Sequence, residues 1–519
     1  MGNASEYIFS FLDVVTAPLI YFVASIYLLA LLVILSYSCV QGYLMIRYLQ
    51  NHKRSNTFLN NDEWPIVTVQ APIYNESEVV ERLIYALIKL DYPSEKLQIQ
   101  VLDDSTDETT QIAERVIHRL KAEKSIDITL VRRPKREGYK AGALRDSMHL
   151  VKGDFIAIFD ADFIPNPDFL RKTIPQFQQE EVGVVQTRWG HLNKEKMMLT
   201  ELQAFGLNGH FSIEQTGRNQ SGHFINFNGT GGVWRKKCIE DSGGWSSDTL
   251  TEDLDLSYRA QMNGWQFVYL EEVEAPAELP ETITALKNQQ HRWMKGGAEC
   301  LLKNGKKLIN HPSIPITTKI HGIFHLFNSS VFICIFLVAI LSVPIVILRA
   351  GDSAFNSLFY YESIFFVATV ILYFYYYFSF RDKKSSNLEG IPLFTLRFIQ
   401  FLTVSLGLSY NNAKAVFEAY RGKKSGFVRT PKFNGKKLKN KITDYPKNKI
   451  QLLVEFLLLI YFLFGLFYAV LNGIYGLIPF QIMLVSGYGY VVFQTYQDIY
   501  LSKEKDNFIK QPETLNSKV

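Results

Sequence analysis

At 519 residues, 47% hydrophobic and 14% aromatic, the chain is too apolar for an ordinary soluble protein and long enough for more than one domain. The formal charge of +5 is uneven: Arg421 to Lys449 holds eleven Lys or Arg and a single acid, Asp444, so the remainder is net acidic and no nucleic-acid partner is expected. Four cysteines, Cys39, Cys238, Cys300 and Cys334, lack CxxC spacing and offer neither a zinc cluster nor a disulfide framework.

Taken in chain order, the first feature is an uncharged run from Val14 to Ile46, followed by Arg47, Lys53 and Arg54. It is too long for a signal-peptide core and lacks a basic start, so a retained span at 14–46 is expected. Positive charge on its C-terminal side places the N-terminus outside and the next block, 62–300, in the cytosol. The first half of that block alternates strand-like and helix-like patterns. "PIVTVQAPIYN", "KLQIQVLDDS", "IDITLVRRP" and "GDFIAIFDAD" read as strands, separated by helical patterns at Glu76–Lys89, Thr109–Lys121 and "KAGALRDSMHL". Such alternation implies a mostly parallel sheet with helices on its faces, where ligands bind beyond the carboxyl ends of the strands.

Polar residues gather at those ends: Tyr74 and Asn75, Asp103 and Asp104, Asp160 and Asp162, joined by Lys140 and Arg145. Single acids at strand ends cap turns. Several converging on one edge, with cations, imply a charged ligand and a metal. In "DAD", Asp160 and Asp162 can hold a hard divalent cation by oxygen, which would neutralise a departing diphosphate. "TLTEDLDLSYRAQMNGW" reads as a helix capped by Thr249 or Thr251 and ending near Asn263–Gly264. Glu252 and Asp253 would lie in its first turn, where the helix dipole favours their ionised form. A carboxylate so placed is a candidate general base. In "NQQHRWMKGG", a helix puts Gln289, Arg292 and Trp293 on one face, either as a binding surface or as an interfacial anchor.

Beyond an expected interfacial helix at 301–319, uncharged runs mark spans at 320–348, 358–380, 452–472 and 477–497, with a cytosolic tail at 498–519. Arg397 interrupts the apolar segment 391–420. Counting it as a span would put the basic 421–449 stretch outside, so a re-entrant or interfacial element is expected, giving five spans in all.

The order Asp104, Asp160-Ala-Asp162, Thr251-Glu-Asp253, Gln289-Gln-His-Arg292-Trp293 resembles the processive family-2 glycosyltransferases, which include cellulose, chitin and hyaluronan synthases. "VQAPIYNE", "VLDDSTDET", "GYKAGALR", "NFNGTGGVWR" and "QQHRW" are most similar to cellulose-synthase-like mannan and glucan synthases. "GFVRTPK" (Gly426 to Lys432) resembles the gating loop of cellulose synthase. The resemblance implies an α/β GT-A (Rossmann-like) cytosolic domain inserted between transmembrane helices of a multi-pass α-helical membrane protein. It implies that Tyr74, Asp104 and Lys140 meet the nucleotide base and diphosphate, that Asp160 and Asp162 hold the donor with Mg2+ or Mn2+, and that Asp253 is the catalytic base, with Glu252 beside it. Gln289, Arg292 and Trp293 would hold diphosphate and acceptor sugar. Asn228 and Gly229 stand in the acceptor-side motif, and Phe427, Arg429 and Thr430 in the loop that closes over nucleotide. The expected activity is inverting transfer from UDP-glucose or GDP-mannose to a growing β-linked, β-1,4, glucan or mannan, passed through the spans. The bacterial cytoplasmic membrane and its lipid bilayer are the expected setting. The rival readings are a lipid glycosyltransferase adding one sugar to ceramide, diacylglycerol or polyprenyl phosphate, and a channel or scaffold without catalysis.

Overall fold

Val67–Ile73 (β1) and Leu97–Asp103 (β2) alternate apolar and polar residues, yet both faces of the pair are buried. The computed structural model, which describes residues 3–51, 64–351, 363–380, 390–426, 432 and 448–501, shows why. The strands run parallel with Thr68 beside Gln98 and Gln70 beside Gln100. Thr68 Oγ1 donates to Gln98 Oε1 at 2.7 Å, and Gln70 Nε2 donates to Gln100 Oε1 and Ser147 Oγ, both at 3.0 Å. Buried amides without partners are costly, so these cross-strand bonds hold the register while Val67, Val69, Ile99 and Val101 fill the core on the opposite face.

Asp127–Arg132 (β3), Phe155–Ile158 (β4), Val182–His191 (β5), Gly232–Arg235 (β6) and Gln266–Ala277 (β7) complete a seven-stranded sheet, ordered β3-β2-β1-β4-β6-β5-β7. Four neighbouring pairs are parallel (β1–β2, β1–β4, β2–β3, β5–β7), and β6 runs against both β4 and β5. The reversal sets Gly232, where β6 begins, opposite Ile158, where β4 ends. The loop before β6 therefore reaches the same sheet edge as the turns that follow β1, β2 and β4.

Asn3–Asn51 is one helix of 49 residues, roughly 70 Å long at 1.5 Å per residue and more than twice a bilayer's hydrocarbon thickness. Among the described residues, three helical stretches are long and apolar enough to cross a membrane: Tyr21–Gln50, Ile316–Arg349 and Lys449–Leu471. Phe366–Phe380 is apolar but shorter, and Ile391–Gly407 meets Ser409–Tyr420 at a bend of 48°. Arg397, the charge inside that apolar segment, pairs with Glu201 on the helix Met198–Asn208, so the protein itself supplies its counter-ion. Residues 301–319 do not form a separate element. Ile283–Ile309 is one continuous helix without an internal Pro, and a new helix starts at Ile316 behind Pro315. Lys287 on that long helix is buried and donates to Glu455 at 2.7 Å and to Thr495 Oγ1 at 3.3 Å, which ties it to the helices Lys449–Leu471 and Ile478–Tyr496. The four cysteines are unpaired.

Two glycines set a close helix crossing. A Cβ on Gly487 would lie 2.1 Å from Thr403 O, and one on Gly407 would lie 2.3 Å from Gly487 O, so Ile391–Gly407 and Ile478–Tyr496 touch backbone to backbone. Gly487→Val should lower the melting temperature of the detergent-purified protein by several degrees, since overpacking costs about 1–3 kcal/mol. An unchanged melting curve would refute the close crossing.

Candidate active site

The turns after β1, β2 and β4, the loop before β6 and the helices Tyr139–Ser147, Glu252–Met262 and Ile283–Ile309 border a cavity of about 600 Å³, a volume typical of small-molecule sites. Tyr74 and Asp104 line one end. Asp104 is held by a planar fork: Arg133 Nε and Nη2 donate to its two oxygens, each at 2.7 Å. The Arg136 guanidinium lies 3.4 Å from the centre of the Tyr74 ring. Asn75 and Tyr139 adopt positive φ of 55° and 50° beside this end, backbone strain of the kind that collects at binding sites. Asn75 Oδ1 accepts from the Thr106 amide at 2.8 Å, which offsets part of that cost.

Lys140 occupies the middle. Its Nζ donates to Asp160 Oδ1 at 2.5 Å and to Gly229 O at 2.8 Å, joining the turn after β4 to the loop before β6. Asp162 Oδ2 accepts from Lys432 Nζ at 2.6 Å. Gly229 is a glycine by necessity. Its φ is +81°, and a Cβ there would stand 2.9 Å from Asp253 Oδ2. Glu252 and Asp253 open the helix Glu252–Met262. Gln289, Arg292 and Trp293 face the same cavity from one side of Ile283–Ile309, with the Trp293 ring 6.5 Å from that of Trp189.

Electrostatics separate the acids. Burial and the neighbouring Glu252 charge push the Asp253 carboxyl up to about 7, against the pull of Lys140. Burial likewise raises Glu252. The expected benefit of the helix dipole is thus outweighed, because desolvation and a like charge act together on the same first turn. Burial alone would lower Lys140, but Asp160, Glu252 and Asp253 outweigh it and raise the ammonium.

Several expectations change. Arg145 is no part of the cavity: it is half exposed and pairs with Asp146 on its own helix. Arg136 lines the cavity instead, and Arg133 acts on it only through Asp104. Asp103 is structural, accepting from the Ser105 amide and Thr110 Oγ1. Thr251 holds the N-cap position without a side-chain cap bond, its hydroxyl lying 3.4 Å from Cys300 Sγ. Phe427, Arg429 and Thr430 lie outside the described residues. Arg133, Arg136 and Trp189 escaped the sequence reading. Arg133 and Arg136 follow β3 in "VRRPKR", a basic turn at the ligand edge, and that position was the available signal.

Among the described residues, no three His, Cys, Asp or Glu side chains gather to hold an ion. Asp160 and Asp162 nonetheless fit a divalent cation of the kind that takes one or two carboxylates and completes its shell with substrate phosphates. Each already binds a positive group, the ammonium of Lys140 or Lys432.

Residues 65–296 match the family described as "Glycosyltransferase like family 2". This stretch is a family-2 glycosyltransferase domain. The chain is 41% identical over 273 residues to glucomannan 4-beta-mannosyltransferase 1 of Oryza sativa subsp. japonica, covering 52% of each. It is 41% identical over 269 residues to glucomannan 4-beta-mannosyltransferase 7 of Arabidopsis thaliana, covering 51% of this chain and 48% of that protein. It therefore spans about half the length of the curated relatives it matches. A solved structure, the mannosyltransferase PcManGT from Pyrobaculum calidifontis in complex with GDP-Man and Mn2+, aligns with 78% of this chain and all of its own at a TM-score of 0.54 and 18% identity. At that identity the likeness is one of fold, and the family-2 domain has the GT-A-like mixed α/β sheet.

The Lys432–Asp162 pair yields a direct test. Removing the ammonium in Lys432→Ala should tighten Mn2+ binding to nucleotide-free protein, followed by electron paramagnetic resonance, by roughly tenfold, the worth of one charge-assisted hydrogen bond. Unchanged or weaker Mn2+ binding would count against competition for Asp162.

Proposed function

We propose that this protein is an inverting glycosyltransferase that extends a β-1,4-linked mannan or glucomannan from GDP-mannose, with UDP-glucose as the alternative donor, and passes the chain through its membrane helices. The observation that carries the reading is one cavity in which a carboxylate pair, Asp160 and Asp162, faces a separate carboxylate raised toward neutrality, Asp253. The activity for which the relatives are named, glucomannan 4-beta-mannosyltransferase, and the GDP-Man and Mn2+ of PcManGT support the choice of donor and metal. Asp160 and Asp162 would hold Mg2+ or Mn2+, which when bound neutralises charge on the departing diphosphate. Tyr74 would pack on the base. Lys140 and Arg292 would pair with phosphate oxygens, Arg292 through its planar fork. Gln289 would join them by hydrogen bonding. Trp293 would offer its flat face to the acceptor sugar. Asp253 would take the proton from the attacking hydroxyl, and a base titrating near 7 suits that task at neutral pH. One base and one leaving group amount to a single displacement, hence inversion. Phe427, Arg429 and Thr430 would close over the nucleotide. The basic residues around them would meet anionic lipid head groups. We place the protein in a cytoplasmic membrane, domain in the cytosol and N-terminus outside. These relatives come from plants.

Purified protein with Mn2+ and labelled GDP-mannose, UDP-glucose or UDP-GlcNAc in turn should form an insoluble product that β-mannanase degrades. A product carrying one sugar and extracting wholly into organic solvent would replace the polymer by the lipid glycosyltransferase reading. Trp293→Ala should abolish elongation while GDP affinity persists.

Asp253→Asn should cost about 10²–10⁴-fold in turnover with nucleotide affinity unchanged. Activity should fall with acidity as Asp253 takes a proton near pH 7. Because the Glu252 charge raises Asp253, Glu252→Gln should move that acid limb to lower pH. An acid limb that stays in place would separate Glu252 from the base.

A further inference from the structure

Between Met198 and Gln220 a helix runs through three forms: α at Met198–Asn208, π at Gly209–Glu214 and α again at Gln215–Gln220. π turns are rare and concentrate at functional sites, and the side chain placed by this one is His210. The two ring nitrogens of His210 have different partners. Nδ1 lies 3.0 Å from Glu214 Oε2, and since a carboxylate only accepts, that nitrogen carries the donated proton. Nε2 donates to Asn228 Oδ1 at 3.1 Å, an oxygen that also only accepts, so both ring nitrogens act as donors. Glu214 is in turn fixed by the fully buried Arg218, whose Nε donates to Glu214 Oε1 at 3.1 Å and whose Nη1 donates to His321 O at 2.9 Å. The imidazole is therefore held at one edge by a buried ion pair and presents its other edge to an amide.

That amide borders the cavity. Asn226 Nδ2 also donates to Asn228 Oδ1, at 2.8 Å, so two groups grip the oxygen end of the Asn228 side chain. The Asn228 backbone amide donates to Gln186 Oε1 at 3.0 Å, which fixes the main chain as well. What remains is Asn228 Nδ2, buried and without a hydrogen-bond partner among the described residues. A buried donor left unpaired in a cavity wall is costly unless a ligand meets it. The next residue, Gly229, approaches Asp253 Oδ2 so closely that no Cβ fits between them. The acceptor sugar must lie beside Asp253 if Asp253 is its base.

We propose that His210 is a positioning residue: backed by Glu214 and Arg218, it orients the Asn228 amide so that Nδ2 donates to a hydroxyl of the acceptor glycan. This rests on the reading above that an acceptor hydroxyl sits at Asp253. His210 touches no reacting atom. It acts through Asn228, and the π turn is what brings its ring to the loop before β6.

A double-mutant cycle on the full-length protein in detergent tests this, with Mn2+, GDP-mannose and a β-1,4-mannan oligosaccharide as acceptor. His210→Ala should raise the acceptor KM about five- to tenfold, the effect of one hydrogen bond, and leave GDP affinity unchanged. In the Asn228→Ala background the same change should have no further effect. His210→Gln, which keeps one N–H toward the amide oxygen, should recover part of the loss. An equal effect of His210→Ala in both backgrounds, or an unchanged acceptor KM, would overturn the proposal. Should His210→Ala not fold, the cycle is run with His210→Gln, and additivity with Asn228→Ala again overturns it. Wild-type protein that makes no glycan from any donor refutes the glycosyltransferase reading instead, whereas an active wild type with an additive cycle refutes only the role of His210.

Discussion

The Lys140 ammonium is the contact on which the cavity depends. It ties Asp160, at the end of β4, to the carbonyl of Gly229, before β6, within 2.8 Å of both. Without a cation there, Asp160, Glu252 and Asp253 would face one another across a desolvated space, with Arg292 acting on all three. A buried carboxylate stripped of its partner takes up a proton or rearranges. Lys140 therefore holds the shape of the loop and pulls against the upward push that burial gives Glu252 and Asp253, and the reversal of β6 makes the contact possible by bringing Gly229 to that edge.

Much of this was legible from the chain. The strand patterns located β1 to β4, and acids following buried strands marked the ligand edge. The helical spacing of Gln289, Arg292 and Trp293 put the three on one side of a helix, and they share a cavity. Other features depend on distant partners that periodicity does not encode. Arg145 and Arg133 are the same residue type near the same edge, yet only Arg133 reaches Asp104, because it leaves β3 beside β2 while Arg145 sits on the outer face of its helix. Thr251 takes the N-cap position expected of it or of Thr249, but its hydroxyl lies against Cys300, 49 residues away, and not on a helix amide.

The membrane portion shows where counting charges runs out. Arg397 in an apolar segment weighs against a span when only the segment is considered. Its partner Glu201 belongs to the family-2 domain, so the charge is neutralised by protein. The bend of 48° just beyond it and the backbone contact of Gly407 with Gly487 are matters of packing that hydropathy cannot register.

The buried pair of Lys287 and Glu455 has a mechanical consequence. Lys287 precedes Gln289 by two residues and Trp293 by six on a single rigid rod, and its ammonium is clamped to two apolar helices at once. Pulling the rod away from those helices would strand an ammonium and a carboxylate in a dry interior, so the joint resists both hinge and slide. Gln289, Arg292 and Trp293 are thus presented to the cavity by a rod anchored from its apolar side, and whatever ligand reaches them meets a stationary platform.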